Sequence, residues 1–196
     1  MRIKLSFILI MLLCLSSVKA MLVTGTDDVA QLPFWEWRND YMKVRLVQRL
    51  PDQTRAYFAG RGFKPAEVKK IAGYCVFQTV YTNTSSIDNK RIVLHDIRDW
   101  KYNYNGKTFA MKPRENWKPF WQQQKVAQAQ IVAFEWSLFP SNQTFEAGDY
   151  NWGMTVFEVP HGATFDLTIS WKVDGEKKTA IMKKITCAKD IYIPPQ

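Results

Sequence analysis

The sequence predicts a mainly β protein, an Ig-like antiparallel β-sandwich with two short helices inserted after its first strand. Three observations lead to this prediction. Roughly seven or eight short segments are rich in β-branched and aromatic residues, and turn-forming pairs separate them. Two cysteines, Cys75 and Cys187, lie in extended segments far apart in the chain. Strands at this spacing are typical of a sandwich.

The N-terminus has the pattern of an export signal. Met1–Lys4 is basic, Leu5–Leu15 is apolar, and Val18–Ala20 provides small residues where signal peptidase cleaves. The apolar run is shorter than the roughly 20 residues that span a bilayer. Cys14 follows Leu13 instead of the small residue that a lipid-attachment site requires. Residues 1–20 are therefore predicted to be a cleaved signal peptide, with a periplasmic or secreted mature protein.

The mature chain is basic. The whole sequence has a formal net charge of +9, and cleavage after Ala20 removes three basic and no acidic residues. Nine basic residues stand between Arg38 and Lys70 against three acidic ones. In an exported protein this charge favours a protein partner, an anionic polysaccharide or a membrane surface, with no nucleic acid and no transmembrane segment in the mature chain. Solubility alone is the alternative explanation.

The start of the mature chain divides into a leader and a first strand. Residues 21–40 are predicted to be an N-terminal leader, poorly ordered from Met21 to Pro33, and residues 41–196 a single sandwich domain. The segment Tyr41–Leu50 alternates apolar with basic residues, which favours a strand with one basic face, although a helix competes. Two short helices should follow, each with proline at its first position, from Pro51 to Gly60 and from Pro65 to Gly73.

The two cysteines predict a covalent link across the chain. Cys75 lies in the predicted strand Tyr74–Asn83, and Cys187 ends another extended segment. Loss of Cys14 with the signal leaves an even number, as expected in an oxidising compartment. A Cys75–Cys187 disulfide would close a loop of about 100 residues, worth up to roughly 4.7 kcal/mol. Two buried free thiols are the alternative.

The chain after Asn83 is predicted to consist mostly of strands. Asn105–Gly106 is a strong hairpin signal between a strand that includes Trp100 and a returning one. The Trp-rich segment Pro113–Gln124 is predicted to be irregular. Lys125–Phe139 fits a helix or a strand, with a strand favoured for its second half. Further strands are predicted at these ranges: Arg91–Ile97, Met154–Val159, Thr164–Val173 and Thr179–Cys187.

No catalytic constellation is found in the sequence. His95 lies within a predicted strand and His161 in a Pro-His-Gly turn. A nucleophile elbow, a phosphate-binding loop and a histidine pair at metal spacing are all missing from the sequence. We therefore expect a protein that is not an enzyme, with no catalytic residues and no cofactor.

Aromatic residues interleaved with basic ones indicate a binding surface, because rings beside cations bind sugars, anionic polymers and proteins. The candidate binding residues are Trp100, Tyr102, Tyr104, Arg114, Trp117, Lys118 and Trp121. The basic segment Arg38–Lys70 is expected to assist them. Burial of the same rings in the core is the competing interpretation. Asn151–Gly153 is read as a tight turn or as the rim of a site.

The predicted function is an exported non-catalytic binding or accessory domain that recognises a protein partner or an anionic envelope component. A periplasmic copper-handling chaperone is one alternative, because imidazole and thioether groups suit copper. Its candidate ligands are His95, Met111, Met154 and His161. A glycan-binding module is the other alternative.

Overall fold

The computed structural model describes residues 20–191. The predicted signal peptide, apart from Ala20, lies outside the described residues. The described chain is mainly β, with two antiparallel sheets. Its strands are β1 (Met21–Thr26), β2 (Pro33–Arg38), β3 (Met42–Gln48), β4 (Cys75–Asn83), β5 (Val93–Asp96), β6 (Lys101–Tyr104), β7 (Lys107–Ala110), β8 (Asn142–Phe145), β9 (Tyr150–Phe157), β10 (Thr164–Val173) and β11 (Glu176–Thr186). Its helices are α1 (Pro51–Ala59), α2 (Pro65–Ala72), α3 (Trp117–Gln123) and α4 (Gln128–Ser137).

The first sheet has the strand order β1-β2-β3-β4-β9, and the second is built around β10. β10 pairs with β11 along one edge and with β5 and β6 along the other, while β8 and β7 extend the sheet beyond β5 and β6. The predicted Asn105–Gly106 hairpin is confirmed. Both residues have positive φ, 50° and 74°, as a type I′ turn requires.

Aromatic side chains fill the core between the two sheets. Phe77 of β4 lies 6.2 Å from Phe165 of β10, and Trp37 of β2 lies 4.9 Å from Trp171, measured between ring centroids. The Trp35 indole N–H also donates to the Lys184 carbonyl across the sheets. The inward residues of β2, β3 and β4 therefore pack against the second sheet.

A layer of helices covers part of the other face of the first sheet. Val76, Met154 and Val156 point away from the core between the sheets, because side chains alternate along a strand. They pack in a second apolar cluster with residues from all four helices. The helices leave the remainder of this face to solvent, and that remainder includes Tyr150 and Trp152.

The predicted disulfide is confirmed. Cys75 and Cys187 are bonded, with their Cα atoms 5.5 Å apart, and both are buried. The bond joins the start of β4 to the residue that follows β11. It closes the polypeptide across a sequence separation of 112.

The predicted disordered leader is wrong. Met21–Thr26 and Pro33–Arg38 form β1 and β2, which pair with each other, and β2 pairs with β3. The physical reason is burial, because Trp35 and Trp37 insert into the core between the sheets. The helices α1 and α2 consequently follow the third strand and not the first.

Two other predictions of secondary structure also fail. The second half of Lys125–Phe139 is the helix α4 instead of a strand, because the buried residues Ile131, Phe134 and Leu138 recur at helical spacing. The segment Pro113–Gln124 is ordered, with a 3-10 turn at Arg114–Asn116 that leads into α3.

Candidate functional site

Most rings of the predicted binding surface are core residues. Trp100 and Tyr102 lie between the sheets, and Trp117 and Trp121 lie under the helices, all buried. The Trp100 indole N–H donates to the Ser170 carbonyl at 3.1 Å. These four rings are inside the molecule, so they do not form an exposed recognition surface.

The other three residues of that prediction are at or near the surface. Tyr104 is half-buried against the core. The Arg114 guanidinium pairs with Glu115 at 3.3 Å and lies 5.5 Å from the Trp136 ring centroid. Lys118 is exposed on α3.

The four candidate copper ligands are not brought together. His95 is buried between Tyr81, Trp100 and Phe139. The two ring nitrogens of His161 face the Ala72 and Ala188 carbonyl oxygens, at 2.9 and 3.2 Å.

Met111 and Met154 line a common cavity of about 10 Å³, whose lining contains neither histidine. Within residues 20–191, no three or more His, Cys, Asp or Glu side chains are grouped in a way that could hold a metal ion.

An exposed face of the first sheet offers a different candidate site, which we call the outer face. On β3, Lys43, Arg45 and the following Arg49 point outward, while Val44 and Leu46 are buried in the core between the sheets. The basic face that the sequence predicts for this segment is thus present. It lies on the side of the first sheet that the helices only partly cover.

Two exposed rings share the outer face with these basic residues. Tyr150 and Trp152 of β9 are 66% and 61% exposed. The strand register places Trp152 opposite Val80, which in turn is opposite Arg45. Because directly paired residues on neighbouring strands lie on one face, the rings and the basic side chains line the same surface, with β4 between them.

The next row of the outer face also joins a basic residue to an exposed ring, but on β2 it has Arg38 where the first row has Glu36. Tyr150 lies opposite Thr82, and Thr82 lies opposite Lys43. Lys43 in turn lies opposite Arg38 of β2. Each row therefore runs from a basic residue through a small side chain to an exposed ring.

Arg45 is held in place by acidic partners. Its guanidinium contacts Asp27 at 2.8 Å and Glu36 at 3.2 Å, and it lies 3.7 Å from the Phe34 ring centroid. The pKa of Asp27 is lowered, chiefly by the backbone N–H of Ala30 and also by its hydrogen bond to Arg45, although partial burial opposes the shift. The charge of Arg45 is thus largely compensated.

A pocket of about 440 Å³ lies on the outer face beside these rows. The loop between β1 and β2, the strands β3 and β4 and the start of α1 surround it. Its lining combines charged, polar and apolar groups, including Asp27, Arg45, Arg49, Gln53, Gln78 and Val80. Val80 belongs both to this lining and to the row that ends at Trp152, so the pocket and the exposed rings are continuous.

Sequence patterns pointed to only part of this face. The alternation of basic residues from Lys43 to Arg49 indicates this basic face. The interpretation of Asn151–Gly153 as a tight turn is wrong, because these residues lie within β9. The pairing of β3 with β4 and of β4 with β9 joins segments far apart in sequence, and no local pattern predicts it.

Comparison with protein-family models, with curated proteins and with solved structures found no match for this chain. Among residues 20–191, no helix has the length and apolar character needed to cross a bilayer.

Proposed function

We propose that this chain is an exported, non-catalytic binding protein whose outer face recognises an acidic polysaccharide. The observation that carries the proposal is the alignment of Tyr150 and Trp152 with the basic residues of β3. Sugar rings stack on exposed aromatic rings, and neighbouring cations attract acidic groups.

The export part of the proposal is supported by the disulfide. Disulfides persist in oxidising compartments and are rare in the cytosol. The signal-like N-terminus agrees with this, and we infer a periplasmic or secreted location. The Ig-like arrangement of the strands stays a prediction.

The experiment compares polygalacturonate, an acidic polysaccharide, with uncharged dextran by isothermal titration calorimetry. We expect the protein to bind polygalacturonate and not dextran. Trp152→Ala should weaken the binding at least about tenfold, or 1.4 kcal/mol, because exposed Trp residues dominate binding energy. Lys43→Gln should weaken it less and reduce its dependence on salt.

Lys183→Gln is the matched control, because Lys183 is an exposed lysine on β11 in the second sheet. It should bind as the wild type does. Equal binding by the wild type and Trp152→Ala would contradict the proposal, as would equal affinity for dextran and polygalacturonate.

An acidic protein partner is the second candidate function. Trp136 on α4 is 76% exposed and carries Arg114 beside its ring, and Trp and Arg are common in protein interfaces. The exposed end of α4 adjoins the outer face, because Leu138 forms a bridge with Met154 of β9. If Trp136→Ala loses binding to an acidic protein while its affinity for the polysaccharide is unchanged, this candidate is favoured.

The copper alternative remains a separate prediction from the sequence. It requires its ligands to come together, and His95 and His161 lie in different surroundings in this fold. A titration of the purified protein with copper at micromolar concentration tests it, and stoichiometric binding would support it.

A further inference from the structure

Asp27 and two arginines, Arg45 and Arg49, line the pocket on the outer face, and the Asp27 carboxylate pairs with Arg45. Arg49 is half-buried, yet among residues 20–191 its guanidinium forms no ion pair. Its Nε is buried and has no hydrogen-bond partner in the described part of the chain. Buried charges in proteins are normally paired, because removing an ion from water is costly. A half-buried arginine without an ion-pair partner is therefore a candidate anion-binding group.

The surroundings of Arg49 add positive charge. Its guanidinium carbon lies 5.4 Å from the Tyr57 ring centroid, and that of Arg61 lies 3.3 Å from the same centroid. Arg61 likewise has no ion-pair partner within the described part of the chain. Burial lowers the pKa of Arg49 and the charge of Arg61 lowers it further, while Tyr57 opposes the shift.

The Tyr57 ring, which both arginines contact, is itself held in place. Its hydroxyl lies 2.9 Å from the Ser137 hydroxyl, which ties α1 to the end of α4. The ring that supports both arginines is therefore held by a contact between two helices. The site is therefore preorganised in the protein without ligand.

Polar groups around Arg49 suit an acidic group. Gln53 and Gln78 line the same pocket, and the Gln53 side-chain oxygen already accepts the Leu50 backbone N–H at 3.1 Å. The amide NH2 of Gln53 is therefore left as a donor. An arginine fork with added amide donors matches the two oxygens of a carboxylate.

We propose that Arg49 and its pocket bind the carboxylate of one sugar residue of the acidic polysaccharide. This inference rests on the proposed function and specifies its ligand as a uronic acid polymer. In this arrangement Tyr150 and Trp152 hold other sugars of the polymer, and the Arg49 guanidinium recognises the carboxylate charge. An arginine kept unpaired for a ligand reduces the stability of the empty protein, as is common at functional sites.

The test compares trigalacturonate with its methyl ester, in which the carboxylates are neutralised without loss of the sugar rings. Arg49→Met keeps the apolar length of the side chain and removes its charge. We expect this variant to lose at least tenfold in affinity for trigalacturonate and to bind the methyl ester as the wild type does. Its thermal stability without ligand should equal or exceed that of the wild type.

Arg98→Met is the matched control, because Arg98 is an exposed arginine outside the outer face, paired with Asp96. It should keep full affinity for trigalacturonate. The inference is overturned if wild type and Arg49→Met bind trigalacturonate equally, or if the variant loses affinity for both ligands by the same factor. Either result leaves the proposed function standing.

A second measurement separates the anion pocket from the polysaccharide. Sodium sulfate should raise the melting temperature of the wild type more than that of Arg49→Met, each measured against sodium chloride at equal ionic strength. If polygalacturonate fails to bind the wild type but this difference is present, the proposed function is wrong and the anion pocket is supported. Equal sulfate effects in both proteins contradict the pocket.

Discussion

The eight tryptophans of this chain divide sharply between core and surface. Trp136 and Trp152 are exposed, while the other six are buried: Trp35, Trp37, Trp100, Trp117, Trp121 and Trp171. The alternation of Trp100 with Tyr102 predicts correctly that they share a face. It does not say whether that face meets solvent or another sheet, because the two cases give the same local pattern.

A pair of substitutions tests this division. Trp121→Ala should lower the free energy of unfolding by about 3–5 kcal/mol, because it opens a cavity among Phe63, Phe120 and Phe134. Trp136→Ala should change it by no more than about 0.5 kcal/mol, because the side chain is exposed. Urea unfolding measures both. A stable Trp121→Ala protein that has lost ligand binding would show that Trp121 is a surface residue.

His95 is an ionisable group in the core. Burial lowers its pKa from 6.5 to about 4, although the Pro140 carbonyl, Asp96 and Asp99 favour the charged form. The Pro140 carbonyl does not reach hydrogen-bond geometry, and neither ring nitrogen has a partner within the described chain. The folded protein therefore holds this histidine neutral.

This burial predicts acid sensitivity. The unfolded chain binds a proton at His95 near pH 6.5 and the folded chain near pH 4, so stability falls as the pH decreases through that interval. The full effect is about 3 kcal/mol. We expect His95→Phe to lack this component in urea unfolding at a series of pH values. Parallel pH profiles for the two proteins would show that His95 does not contribute.

The elements differ in how far the sequence determines them. Helices α1 and α2 begin at Pro51 and Pro65 and end before glycines, as local rules predict. The local sequence does not distinguish a helix from a strand for α4, because its apolar residues fit both strand alternation and helical spacing. The choice depends on the residues against which they pack. Its end is fixed by tertiary contacts, where Leu138 bridges to Met154 and Phe139 donates its N–H to the Met154 carbonyl at 2.9 Å.

Gly153 permits this contact between β9 and the end of α4. A Cβ at Gly153 would lie 2.5 Å from both the nitrogen and the Cα of Phe139. Gly153→Ala should therefore cost about 3 kcal/mol, since backbone atoms must move apart. Gly60→Ala is the control. Its nearest contact is 3.4 Å and its φ is −63°, so its stability should stay within about 1 kcal/mol of the wild type.

Urea unfolding curves of the two glycine variants check this prediction. A Gly153→Ala protein as stable as Gly60→Ala would mean that the two segments are not in close contact. The outcome bears on function as well, because Gly153 follows Trp152 directly and its position sets where that ring emerges on the outer face.

The whole molecule depends on contacts between distant parts of the chain. The disulfide, the core between the sheets and the helical layer all involve β4, which lies in the first half of the sequence. The cysteine pairing could be predicted because only two of the three cysteines lie outside the predicted signal peptide. The outer face could not be predicted, because it depends on the register of β3, β4 and β9.

The most direct test of the outer face as the binding surface is oxidative footprinting of tryptophan side chains, read by mass spectrometry, with and without polygalacturonate. We expect Trp136 and Trp152 to be oxidised in the free protein, the six buried tryptophans to be protected, and polygalacturonate to protect Trp152. Oxidation of Trp117 and Trp121 that polygalacturonate suppresses, with Trp152 unaffected, would contradict the account and place the binding surface elsewhere.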